Sequence, residues 1–280
     1  MADALSDPAE RTDTLRVDGY TVAYASYGDP SGDPALAFHG TPGSRLFGAL
    51  FDDAARRHGV RVVVPDRPGY GRSAAWSDRS LADAGALTAA VLDDVGAEAA
   101  RVIGFSGGGP HALAAAATRP VRISSVDVVA GAVPPSLRAT PPAPLRVLES
   151  LAARTPRLLA ALSRLGRHAP DSAAVGQYAT SDDEVSEAVR SRAGRDFRAA
   201  FEEGGNGFVA ETRLLAEAWA DLADRVDRPV RLFHGGADEN VPLPGARRLA
   251  DRLPTADLTV LDGADHLHTL LRARPDVLDW

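Results

Sequence analysis

The sequence predicts an α/β fold: a mostly parallel sheet with helices on both faces and a helical cap inserted late in the chain. Three observations carry that reading. Short β-branched runs alternate with alanine- and leucine-rich stretches. Several of those runs are too continuously apolar to face water on one side. The alternation stops near residue 134 and resumes only at Pro229.

The strand runs are YTVAYASY (20–27), ALAF (35–38), VRVVVP (60–65), RVIGF (101–105) and VDVVAG (126–131). Stretches 44–58, 80–95 and 107–118 lie between them and read as helices. Residues 1–13 are expected to be frayed. PPSLRATPPAP (134–144) holds five prolines in eleven positions, so it is neither a regular helix nor a central strand. Residues 145 to about 223 read as helical throughout. PVRLFHG (229–235) and LTVLDG (258–263) restore strand character, with a helix at 244–252 and a final one beginning near His266. The expected division is a core of 1–133 and 225–280, and a cap of 134–224 over the face where the strand-following loops gather.

Composition bounds the function. The chain has 280 residues, 45% hydrophobic and 25% charged, as in ordinary globular proteins. A net charge of −7 offers no basic footprint for nucleic acid. All 31 basic residues are arginine, which excludes Schiff-base chemistry. Cys is absent, which excludes disulfides and thiolate nucleophiles. No run of 18 apolar residues suggests a membrane span, and the polar N-terminus does not read as a leader. A cytoplasmic protein acting on a small molecule is expected, without a nucleic-acid or membrane partner. No metal-ligand pattern or dinucleotide fingerprint appears, so no cofactor is expected.

GFSGGGPHA (104–112) is the chemical signal. Ser106 stands between a strand run and a helix, with Gly104 and Gly108 two residues away on either side. That is the setting of a nucleophile elbow, where a tight turn exposes the serine hydroxyl. A serine needs a base. His266, in LDGADHLHTLL, follows the last strand run, and Asp238, in HGGADENVP, follows the one before it. The order is therefore Ser, Asp, His. A fourth loop, HGTPGSR (39–45), follows ALAF. All four loops sit where open α/β sheets place ligands, beyond the carboxyl ends of strands. Glu239 and Asp265 compete for the acid role and His268 for the base. His39 reads as a loop-ordering group and His111 as core or near the nucleophile. His234 reads as structural, His58 and His168 as surface.

Taken together, HGTPGSR, DRPGYGRS (66–73), GFSGGGP, HGGADENVP and GADHLH resemble the landmarks of the capped branch of the α/β-hydrolase superfamily, over residues 14 to 276. The resemblance implies a catalytic triad of Ser106, Asp238 and His266, and an oxyanion hole formed by the backbone amides of Thr41 and Gly107. It implies that Asp66, Arg67 and Arg72 form structural polar pairs and that Trp76 borders the pocket entrance. The lid aromatics Tyr178, Phe197, Phe201, Phe208 and Trp219 divide between lid core and cavity wall, and Glu202, Glu203 and Glu211 are expected to be solvated.

The expected activity is a serine hydrolase cleaving a small, largely apolar ester, thioester or lactone. Alternatives are a C–C bond hydrolase, a proline iminopeptidase-like aminopeptidase, or a ligand-binding protein on the same fold. Cofactor-free haloperoxidases share the same triad. The peptidase resemblance is weakened by Thr41 standing where that branch carries a second glycine, and by a glycine rather than tryptophan after the nucleophile.

Overall fold

A computed structural model describes residues 12–76, 78–138, 141–176, 179 and 185–279. Eight strands form one sheet: β1 (Thr12–Val17), β2 (Tyr20–Gly28), β3 (Asp33–Phe38), β4 (Val60–Pro65), β5 (Ala100–Phe105), β6 (Ile123–Val129), β7 (Val230–Gly235) and β8 (Ala256–Leu261). Their order is β1-β2-β4-β3-β5-β6-β7-β8. β2 is antiparallel to β1 and β4, and β3 through β8 run parallel. β1 is a strand the apolar pattern did not reveal, because TDTLRV is an edge strand with three exposed positions and only Leu15 and Val17 apolar. The central strand β5 is buried at all six positions, as its unbroken apolar run predicts.

The core helices are α1 (Asp52–Arg57), α2 (Ala84–Asp94), α3 (Gly109–Thr118), α10 (Leu243–Arg252) and α11 (His266–Leu278). α3 is buried from Gly109 through Ala117. Its alanines let it lie close to the sheet, and α2 packs against it. The stretch read as one helix at 44–58 is a 3-10 turn at Arg45–Leu50 followed by the short α1. Because β3 through β8 run parallel, the loops that follow them carry each candidate residue to the same end of the sheet.

Between β6 and β7 run α4 (Ala143–Arg154), α5 (Pro156–Ser163), α6 (Asp171–Gly176), α7 (Glu187–Ala199), α8 (Asn206–Ala216) and α9 (Ala220–Ala223). α8 and α9 join the sheet's own core: Leu214, Leu215, Trp219 and Ala223 belong to the cluster containing Phe38 and Leu113. Two buried carboxylates also tie this segment to the loop after β3. One is Glu211 on α8. The other is Asp196 on α7, whose Oδ1 accepts from the Ser44 amide at 2.7 Å and the Ser44 hydroxyl at 2.8 Å.

Burial pushes the Asp196 carboxyl up to about 7, against the Ser44 hydrogen bonds, and nearby Asp66 adds to the rise. The folded protein thus holds this proton more tightly than the unfolded chain. That contribution to stability is complete below the ordinary carboxylate range, near pH 4, and is lost as pH rises through 7. Asp196→Asn keeps an acceptor for Ser44 without the charge. It should be more stable than wild type by roughly 1–3 kcal/mol at pH 8, and the difference should shrink toward pH 5. Urea titrations at both pH values check this; a pH-independent difference would refute it.

Candidate active site

β5 delivers the chain into a turn that only small residues permit. Ser106 has φ 53°, in the left-handed region, and opens a 3-10 turn, Ser106–Gly108, that leads into α3. A Cβ on Gly108 would stand 2.3 Å from the Phe38 carbonyl oxygen and 2.7 Å from that of His39. That position must be glycine if the turn is to sit this close to the end of β3. The strain falls on Ser106, a non-glycine residue held where L side chains rarely go.

His266 begins α11 and Asp238 follows β7. His266 Nδ1 donates to Asp238 Oδ2 at 2.7 Å, and both side chains are buried. Asp238 Oδ1 accepts from the amides of Asn240 and Val241, each at 2.9 Å. Burial alone would raise the Asp238 carboxyl. The neighbouring His266 and the amide bonds outweigh it and hold the group below the usual carboxylate range. With Nδ1 committed to the carboxylate, Nε2 carries the lone pair of the neutral ring. The His266 ring lies 5.1 Å, centroid to centroid, from Phe105, the residue before Ser106.

The competitors go elsewhere. Glu239 is exposed. Asp265 caps α11 and binds both the amide and Nδ1 of His268 at 2.8 Å, so those two residues pair with each other. His234 Nε2 donates to the Val241 carbonyl at 2.7 Å, and burial lowers its pKa. His58 and His168 are exposed, as expected.

Thr41 and Gly107 lie side by side: a Cβ on Gly107 would meet Thr41 Oγ1 at 2.1 Å. The orientation of each amide is fixed through the carbonyl of the same peptide unit, since a planar peptide points its N–H opposite its C=O. Thr41 N–H shares a plane with Gly40 O, which accepts from His39 Nδ1 at 2.8 Å and Arg67 Nη2 at 3.0 Å. Gly107 N–H shares a plane with Ser106 O, which accepts from the Ala132 amide at 2.9 Å. His39 therefore orders the loop, as its position suggested, and burial keeps its pKa well below the ordinary value.

Glu211 is fully buried, contrary to the expectation that it is solvated. It accepts from Thr41 Oγ1 at 2.6 Å, Arg67 Nε at 3.0 Å, Arg79 Nη2 at 3.0 Å, and Arg67 Nη2. A helix pattern cannot distinguish such a glutamate from a surface one, because its partners come from loops 132 to 170 positions away in the chain. His111 lies beside it, Nε2 at 3.6 Å, with Nδ1 donating to the Gly107 carbonyl at 3.0 Å. Burial lowers the His111 pKa to about 3, so the ring is neutral. Asp66 pairs with Arg45 at 2.9 Å and accepts from the Arg72 amide at 2.9 Å, as structural pairing predicted. Glu202 and Glu203 are both exposed, as expected, and Glu202 lies 3.2 Å from Arg72.

A cavity of about 500 Å³ opens onto Ser106, Gly107 and Thr41. Leu145 and Leu148 of α4, Phe208 and Leu215 of α8, Val133 and Val241 wall it. Its charged lining is Glu239 and the pair Arg138–Glu149, at 2.5 Å. Of the aromatics between β6 and β7, Phe208 reaches the cavity; Phe197 and Phe201 stack edge-to-face at 5.3 Å in a cluster with Tyr70 and Ala174, and Trp219 joins the sheet core. Tyr178 lies outside the described residues. Trp76 is not part of the cavity wall and stacks on Tyr20 at 5.6 Å.

A family model for the α/β-hydrolase fold matches residues 34–272. The chain belongs to the α/β-hydrolase fold family. This α/β-hydrolase is 32% identical over 118 residues to an uncharacterized hydrolase of Bacillus subtilis, a match spanning 42% of this chain and 40% of that protein. It is 31% identical over 216 residues to the pimeloyl-[acyl-carrier protein] methyl ester esterase of Aromatoleum aromaticum, covering 74% of this chain and 81% of the relative. Among solved structures, the enol-lactonase of Burkholderia xenovorans superposes with a TM-score of 0.72 at 21% identity, covering 95% of this chain and 96% of the other. Among the described residues no helix is long and apolar enough to cross a membrane, and no group of three His, Cys, Asp or Glu side chains could hold a metal.

The φ of Ser106 has a measurable cost. Ser106→Gly should be more stable than Ser106→Ala by about 1 kcal/mol, because glycine relieves the left-handed strain that alanine retains. Chemical denaturation of the two variants checks it. Equal stabilities would mean the turn is unstrained.

Proposed function

We propose that this α/β-hydrolase is a serine hydrolase that cleaves a small, largely apolar carboxylic ester, thioester or lactone through an acyl-enzyme on Ser106. The observation that carries the reading is the buried His266–Asp238 pair, 2.7 Å apart, beside a strained serine that opens onto an apolar cavity. Similarity to a methyl ester esterase over 74% of the chain supports ester chemistry.

In this reading Ser106 Oγ attacks the acyl carbon as His266 Nε2 takes its proton. Asp238 holds the ring in the tautomer whose Nε2 is the acceptor and stabilises the resulting imidazolium. The carbonyl oxygen, now negative, is met by the amides of Thr41 and Gly107. Collapse expels the alcohol, thiol or ring oxygen, which takes the proton from His266. Water, deprotonated by the same nitrogen, then attacks the acyl-enzyme and releases the acid. The helical segment from α4 to α8 serves as a lid whose apolar wall receives the acyl chain.

The test is intact mass after exposure to a fluorophosphonate. Wild type should gain one adduct and Ser106→Ala none, while His266→Ala and Asp238→Asn should lose about 10³–10⁴ of kcat on p-nitrophenyl esters. A well-folded wild type that takes no adduct and turns over no ester would sink the reading and favour a ligand-binding protein on a hydrolase fold.

A further inference from the structure

We propose that Glu211, a residue of lid helix α8, is the positioning residue of the oxyanion hole, so that the hole is complete only when the lid is seated on the core. The inference rests on the serine-hydrolase reading and names how one of its parts is held.

Two routes lead from Glu211 to the Thr41 amide. The direct one is the Thr41 hydroxyl, which donates to Oε1 at 2.6 Å and fixes the side chain of the residue that carries the amide. The second passes through Arg67. Glu211 takes both Nε and Nη2 of that guanidinium, a two-pronged contact that sets the plane of the group. The same guanidinium donates to the carbonyls of His39 and Gly40 and, at 3.1 Å, to Thr41 Oγ1. Gly40 O belongs to the peptide unit that carries Thr41 N–H, so turning the guanidinium turns the amide. The Arg67 amide in turn donates to His39 Nε2 at 3.2 Å, which leaves His39 Nδ1 to brace Gly40 O from the other side. Glu211 also stands beside His111, which holds the Gly107 carbonyl.

The carboxylate is charged. Burial alone would raise its pKa, but Arg67 and Arg79 hold it well below the ordinary value. A charge with no solvent contact keeps its place only while its partners do. Every one of those partners belongs to the core, whereas Glu211 comes from the segment between β6 and β7. Removing α8 from the core would therefore free Arg67 to move and release the Gly40–Thr41 peptide unit. A structural tie needs only an ion pair. This one ends on the hydroxyl and the carbonyls of the very residues that frame the Thr41 amide.

The test uses Thr41→Val and Thr41→Ser beside Glu211→Gln. Thr41→Val keeps volume and leaves the Glu211–arginine pairs intact, so the fold should hold even if Glu211→Gln proves unstable. Thr41→Val should lower kcat on a p-nitrophenyl ester about tenfold with KM little changed, and weaken a trifluoromethyl ketone, whose adduct places an oxyanion in the hole, by the same factor. Thr41→Ser, which keeps the hydroxyl, should restore wild-type values. Glu211→Gln should lose about 10² in kcat wherever it folds. Folded Thr41→Val with wild-type kcat and wild-type ketone affinity would overturn the proposal while the hydrolase reading stood. A wild type with neither ester turnover nor a fluorophosphonate adduct would overturn both.

Discussion

A carboxylate with no access to water sits between two guanidinium groups where α8 meets the loop after β3. Much of the molecule is arranged around that contact. Burying the ions costs several kcal/mol each, and the cost is offset only because nearly every donor finds an acceptor: Arg67 reaches Glu211, two backbone carbonyls and a hydroxyl. Removing one partner of such a pair typically costs about 3–5 kcal/mol, because the other is left charged and dry. The segment between β6 and β7 is thus joined to the rest of the fold by a polar contact with strict geometry, in addition to the apolar contacts of Leu214, Leu215 and Trp219. Apolar packing tolerates sliding by a fraction of an ångström; a two-pronged arginine contact does not.

The sheet explains why so few residues need to be chemical. Parallel strands β3, β5, β7 and β8 all end at the same edge, so the loops that follow them meet there without any long excursion of chain. Each loop contributes one thing: an amide after β3, a hydroxyl after β5, a carboxylate after β7 and an imidazole after β8. The left-handed backbone at Ser106 and the forced glycine at 108 are the cost of lifting a side chain above a sheet this tightly packed.

That arrangement was largely legible in the amino-acid order. Apolar runs located seven of the strands, and glycine-rich loops at their ends marked where Ser106, Asp238 and His266 would fall. The reason is local: a buried parallel strand and a tight turn each leave a signature within about ten residues. What could not be read depends on partners far away. β1 is an edge strand with little apolar content to betray it. Trp76 looked like an entrance residue, but its ring is taken up by Tyr20. Glu211 looked like any glutamate on an amphipathic helix, and its burial follows only from where α8 lands on Arg67 and Arg79. A charged residue's environment is a tertiary property, and nothing within one helix encodes it.

The cavity illustrates the same limit from the side of the substrate. A pocket selects a charged ligand when it presents a charge with no internal partner. Here the one cation of the wall, Arg138, pairs with Glu149 at 2.5 Å and also donates to the Leu215 carbonyl at 2.9 Å, and the third charged residue, Glu239, is an anion. The guanidinium is already satisfied by the protein, so an acidic head group would have to displace Glu149 to reach it. Apart from Thr41, Ser106, Thr212, Glu239 and Asn240, the remaining wall is aliphatic, proline and the Phe208 ring, surfaces that discriminate by shape and by about 0.8 kcal/mol per buried methylene. The only cation is already taken up by Glu149 and a carbonyl, so the aliphatic part of the wall can grade a ligand only by its length and girth.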